Sequence, residues 1–190
     1  MIALIAAKLT NWLRKYVSMT EDEFGVYQYA FDIAIYTLLS TAGLLCIGIV
    51  AGHLIPTVIC ICVFYLNQTC GGGYHAHSHG GCFMTMALGL LIYLLLLSFQ
   101  PDLQICCMAA TFSFGVLMIK PLVLHENKRY LEHKRKKLET RSRMITLIEI
   151  IGFILLLSVN NLLLLMSASL SLLLCAISRI AALFVSKRHS

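Results

Sequence analysis

With 190 residues, 59% of them hydrophobic and 13% charged, the chain is too apolar for an ordinary soluble domain, where about 25% of residues carry charge. Its surroundings are therefore expected to be mostly lipid, and nucleic acid is not an expected partner. The net charge of +6 sits in a few short segments separated by long apolar runs.

The first segment, residues 1–26, carries Leu4, Ile5, Leu9, Trp12, Leu13 and Tyr16 at helical spacing, together with Lys8, Arg14 and Lys15. That pattern predicts an amphipathic helix lying in the membrane interface. The cations interrupt any signal-peptide core, so this segment is expected to be retained. Six apolar runs follow, at residues 29–50, 54–66, 82–99, 103–124, 144–159 and 162–185. They predict an all-α polytopic protein with about six transmembrane helices in a single integral membrane domain spanning 1–190. The second and fifth runs are short for a hydrocarbon layer of ~30 Å. Turns are expected at Ala51-Gly52-His53, Gln100-Pro101-Asp102 and Asn160-Asn161.

Lys and Arg accumulate on the cytoplasmic side of membrane proteins. With six spans and the N-terminus inside, every cationic cluster falls on that side: Lys8, Arg14 and Lys15; the segment from Lys120 to Arg143; and Arg179, Lys187 and Arg188. The same parity places both termini, the loop 67–82 and the basic loop 125–143 in the cytoplasm.

Residues 68–82 hold three histidines (His75, His77, His79), two cysteines (Cys70, Cys82) and five glycines, more chemistry than a tether requires. The other six cysteines lie in apolar runs, where a thiol behaves as a small hydrophobe. Two chemistries are open to the loop. Zinc accepts mixed sets of His and Cys, and a composition this rich in both favours it. Alternatively, imidazole takes a proton from thiol and the thiolate attacks a carbonyl.

The stretch Gly72-Gly73-Tyr74-His75-Ala76, with Cys82 seven residues after the histidine, resembles the signature of the accessory gene regulator B (AgrB) family. The likeness continues through Lys120-Pro121 and the basic segment after it. The resemblance implies a bacterial inner-membrane cysteine endopeptidase in which His75 and Cys82 are the catalytic pair and Gly73 belongs to the substrate-binding stretch. It implies a small precursor peptide as partner, with an amphipathic leader and an acidic tail. It also implies a product cyclised to a thiolactone or lactone for quorum sensing. No cofactor is implied. Where family members often carry arginine shortly before the Gly-Gly pair, this chain has Gln68 and Thr69.

On one continuous helix His75 and Cys82 would stand ~10 Å apart, so the chain must bend between them, and Gly80-Gly81 is the expected place. Were a helix to begin before His79, that residue would neighbour Cys82 at i, i+3 and become the rival base. Ser78, Asn67 and Gln68 are the nearby candidates for a third, orienting group.

In the basic connection, Lys134, Arg135, Lys136 and Lys137 are expected either to set topology and meet anionic headgroups or to receive the acidic substrate. Glu149, inside the fifth run, is expected to reach water or a nearby cation, and Arg179 to reach the inner interface. His125-Glu126 lacks the second histidine of a zinc-protease helix. The rival functional classes are a metal-binding transporter or sensor built on His75, His77, His79, Cys70 and Cys82, and a non-enzymatic scaffold. A homodimer is expected from lateral association of the short spans.

Overall fold

The computed structural model describes residues 2–74, 78–123, 132–159 and 161–188, with His79 and residues 186–188 described through their backbone alone. Among the described residues all regular structure is helical: α1 (Ile2–Arg14), α2 (Glu21–Val50), α3 (Leu54–Gly71), α4 (His79–Ser98), α5 (Leu103–Ile119), α6 (Glu132–Val159) and α7 (Leu162–Arg188). Five of these, α2, α3, α4, α6 and α7, contain stretches long and apolar enough to cross a bilayer, and α5 is a shorter apolar helix of 17 residues. The expected all-α, polytopic architecture holds, and each expected apolar run falls on one of α2 to α7.

Several helices outrun their apolar stretches, α3 and α6 at the polar end of the second unit among them. Asn67 Nδ2 and Thr69 Oγ1 turn back onto the carbonyls of Val63 (3.1 Å) and Tyr65 (2.6 Å), so the polar end of α3 stays helical as far as Gly71. The segment expected as a basic loop is helical from Glu132 onward and continues into the fifth apolar run. Its composition is rich in good helix formers, and the pairs Lys136–Glu132 (3.3 Å) and Arg135–Glu139 (3.0 Å) bridge successive turns.

Contacts divide the chain into two units, residues 1–47 and 48–190. In the first, Thr20 and Glu23 form a reciprocal capping box that starts α2: Thr20 N–H donates to Glu23 Oε2 (2.8 Å), and Glu23 N–H donates to Thr20 Oγ1 (3.3 Å). Arg14 pairs with Glu21 (2.6 Å) and lies over the Phe24 ring. α1 buries Ala6 and Thr10 while Leu4, Ile5, Leu9 and Trp12 stay exposed, an apolar face suited to the lipid interface.

The second unit is built around α7, which touches α3, α4, α5 and α6. Small residues allow this central position. Ser167, Ser169, Ser171 and Ala176 are buried, and the three hydroxyls donate to carbonyls of their own helix, so close helix approach leaves no unpaired proton. Phe114 of α5 meets Phe153 of α6 edge to face at 6.0 Å, above Ala110 and Leu165. Tyr93 of α4, fully buried, donates its hydroxyl to the carbonyl of Pro56 at 2.9 Å. Outward-facing Leu88, Leu91, Ile92 and Leu95 on α4 and Ile148, Ile151 and Ile154 on α6 are exposed, as lipid contact demands.

The turns use local chemistry. Gly52 adopts φ +71° and closes α2 with the bonds Gly52 N–H to Ile49 O and His53 N–H to Gly48 O. Asp102 caps α5 through Ile105 N–H (2.9 Å), and Asn161 caps α7 through Leu164 N–H (3.2 Å).

Ala176 has no exposed surface. Replacing it with Leu is expected to destabilise the bundle by about 1–3 kcal/mol through overpacking, while Ile154→Leu on the lipid face is expected to be neutral. Thermal unfolding in detergent checks both.

Candidate functional site

The C-terminal ends of α3, α5 and α7 and the early part of α6 meet at one end of the second unit. At their centre is Arg179 of α7, which is 1% exposed. Its Nη1 donates to the carbonyls of Pro121 (2.8 Å) and Lys120 (3.2 Å) and to Ser142 Oγ (3.4 Å), and its Nη2 donates to the carbonyl of Asn67 (3.3 Å). Arg179 therefore does not snorkel to the interface. The carbonyls of Lys120 and Pro121 lie past the last turn of α5, and the two Nη groups of the guanidinium collect them together with that of Asn67 in the last turn of α3.

Glu149 of α6 also differs from expectation. Its Oε1 accepts from Asn67 Nδ2 at 2.7 Å, so Asn67 joins the carboxyl on one side to Arg179 on the other. Of the three candidates for an orienting group, Asn67 is thus occupied by Glu149. Gln68 Nε2 donates to Ser178 Oγ (3.3 Å), and Ser78 Oγ accepts from Gly81 N–H (3.1 Å) as the cap of α4.

From the end of α3 the backbone turns through three glycines, each of which stands close to another group. A Cβ on Gly71 would fall within the guanidinium of Arg179. Gly72 has φ +68°, and a Cβ there would lie 2.5 Å from the carbonyl oxygen of Val123. A Cβ on Gly73 would lie 2.5 Å from the Gln68 amide. Two bonds fasten this strip: Val123 N–H donates to Gly71 O (2.9 Å), and Tyr74 N–H donates to Ser178 Oγ (3.2 Å).

Cys82 is half-buried in the first turn of α4, its N–H donating to the carbonyl of Ser78 at 2.9 Å. Two residues earlier, on another face of the helix, a Cβ on Gly80 would meet no described atom within 4 Å. The expected bend at Gly80-Gly81 is not where the chain turns: both glycines are helical, and the break lies between Gly71 and His79. Helix α4 begins at His79, which sets His79 and Cys82 at i, i+3.

His75 and His77 lie outside the described residues, as does the imidazole of His79. Cys70 sits near the end of α3. Among the described residues no three His, Cys, Asp or Glu side chains group closely enough to hold a metal ion.

Lys134, Arg135, Lys136 and Lys137 stand exposed on the first turns of α6. Arg135 and Lys136 are engaged by Glu139 and Glu132. Among the described residues no carboxylate pairs with Lys134, Lys137 or Arg141, and their spacing of three and four residues puts them on one helix face.

The family model of accessory gene regulator B (AgrB) matches residues 6–179. The chain belongs to the AgrB family. It is accordingly a multi-pass membrane protein of quorum sensing, a processing protein whose substrate is a peptide precursor. No curated protein and no solved structure gives a significant match. The AgrB match takes in every element around Arg179 and ends on that residue. Signals for the polar centre were present in the sequence as a charge within an apolar run, but its partners, 37 to 112 residues away, were not.

Gly71→Ala and Gly72→Ala are each expected to lower stability, the second by ~1–2 kcal/mol from backbone strain alone. Gly80→Ala, whose Cβ would meet no described atom within 4 Å, is expected to leave the melting temperature in detergent unchanged.

Proposed function

We propose that the protein is a membrane cysteine endopeptidase that removes the C-terminal tail of its precursor, with Cys82 as nucleophile and His75 as base. The observation that carries this reading is the position of Cys82. It stands half-buried at the start of α4, the helix that follows the strip Gly71 to Tyr74 fastened to α7.

In this mechanism His75 takes the thiol proton and the Cys82 sulfur attacks the peptide carbonyl at the boundary of the tail. The C–N bond breaks, the proton passes from His75 to the leaving amine, and a thioester joins Cys82 to the precursor. A cysteine thiol or serine hydroxyl within the precursor then displaces Cys82, closing a thiolactone or lactone and returning the thiol. Exchange of one thioester for another is close to thermoneutral, and loss of the tail fragment draws the sequence forward.

The site lies at the cytoplasmic face of the bacterial cell membrane in this reading, with both termini on the same side. Gly73 lies along the path of the substrate backbone. The acidic tail of the precursor docks on the basic turns of α6, where no described carboxylate pairs with Lys134 or Lys137 while Arg135 and Lys136 are held by their own helix. Two copies of the chain associate laterally.

Cys82→Ser and His75→Ala are each expected to abolish precursor cleavage, assayed by the appearance of the tail fragment, while His77→Ala is mild. The start of α4 at His79 favours a second reading in which His79 is the base; it predicts that His79→Ala, and not His75→Ala, abolishes cleavage. A metal site would instead give comparable losses for Cys82→Ser and His77→Ala, with stoichiometric zinc in the purified protein.

Reversal of charge at Lys134 and Lys137 is expected to raise KM for the precursor severalfold, with topology preserved. The same reversal at Arg135 and Lys136 has a smaller effect on KM. Equal effects, or none, would remove the docking role from this face.

A further inference from the structure

We infer that Ser178 of α7 is a positioning residue for the proposed Cys82 chemistry: its hydroxyl oxygen holds the backbone of Tyr74, the residue that carries His75 at its next peptide bond. The inference rests on the function proposed above and adds a residue on a different helix, more than 90 positions away from Cys82 in the chain.

The argument begins with hydrogen-bond capacity. A serine hydroxyl has two lone pairs and one proton. Both lone pairs of Ser178 are used on this one strip of chain, by Tyr74 N–H at 3.2 Å and by Gln68 Nε2 at 3.3 Å. Gln68 is in the last turns of α3 and Tyr74 is past its end, so one oxygen ties together the two ends of the glycine turn. The Gln68 amide also occupies the space beside Gly73 where a Cβ would stand. Thus Gln68, Gly73, Tyr74 and Ser178 make one interlocked contact.

The neighbour of Ser178 keeps it there. Arg179, bonded to Lys120, Pro121, Ser142 and Asn67, prevents α7 from turning or sliding against α3 and the end of α5. Val123 N–H, bonded to Gly71 O, pins the beginning of the strip. From Gly71 to Tyr74 the path is fixed at both ends, and Tyr74 is the chain neighbour of His75. A proton-transfer pair loses about a hundredfold in rate for a misplacement of ~1 Å. Loss of the Ser178 oxygen therefore acts on turnover rather than on precursor binding.

Arg179 is too deeply buried to be replaced without endangering the fold, so the test falls on Ser178. Full-length protein in lipid vesicles is assayed for tail release over a range of precursor concentrations, beside its thermal unfolding. Ser178→Ala is expected to lower kcat by tenfold or more, with KM within twofold and the unfolding temperature nearly unchanged. Ser178→Thr, which keeps the oxygen, is expected to restore most of kcat. A Ser178→Ala protein with unaltered kcat, or one whose rate loss follows its loss of stability and is not rescued by threonine, overturns the positioning role. Cys82→Ser in the same assay separates the two levels of the argument. If it still releases the tail, the endopeptidase reading itself fails and the inference falls with it; if it is inactive while Ser178→Ala is not impaired, the positioning role alone is lost.

Discussion

A buried guanidinium can persist among membrane helices only where acceptors surround it, and the supply of acceptors around Arg179 dictates how this end of the bundle is put together. Most helix carbonyls are already committed to N–H groups one turn on. Those of Asn67, Lys120 and Pro121 are near or beyond the ends of α3 and α5, and all three accept from Arg179. The negative ends of two helix dipoles converge on the same cation. Arg179 thus does for the α3, α5 and α6 segments what a hydrophobic core does elsewhere in the bundle: it specifies which of them touch and in what register.

Function follows from what that arrangement leaves rigid. The glycine strip after α3 is threaded between Arg179, Val123 and Gln68, with no room for side chains at Gly71, Gly72 or Gly73. Each glycine answers to a different neighbour: a guanidinium, a backbone carbonyl and an amide. The Gly-Gly of the family signature is thereby explained by packing as well as by conformational freedom. Cys82, by contrast, is presented half-buried on an ordinary helix start with a serine cap. A fixed strip on one side and this thiol on the other suit the reading proposed above, in which a peptide chain is admitted to Cys82.

The helices were legible in the sequence because apolar length is what a bilayer selects, and the residues facing lipid, such as Leu88, Leu91, Ile92 and Leu95, carry that requirement on their surface. The boundaries at the polar end were harder to read. Apolarity stops at Leu66, but α3 continues to Gly71 because Asn67 and Thr69 bond back onto its own carbonyls. Apolarity begins at Met144, but α6 begins at Glu132 because charged residues with long side chains are good helix formers. The candidate loop was visible from its His, Cys and Gly content. The groups that hold it were hidden, since Ser178 and Arg179 contact residues 37 to 112 positions away, and a lone arginine near the end of an apolar run reads most simply as an interfacial anchor.

The continuity of α6 has a geometric meaning for the charges at its start. On a flexible connection, cations can rearrange around whatever approaches them. On a rod rising ~1.5 Å per residue, Lys134 is held about 12 Å along the axis from Ser142, the residue that touches Arg179. Each residue added or removed between them would rotate the Lys134, Lys137 and Arg141 stripe by about 100° and aim it at a different quarter of the surroundings. Length in this stretch is therefore as much a determinant of what the stripe faces as its composition.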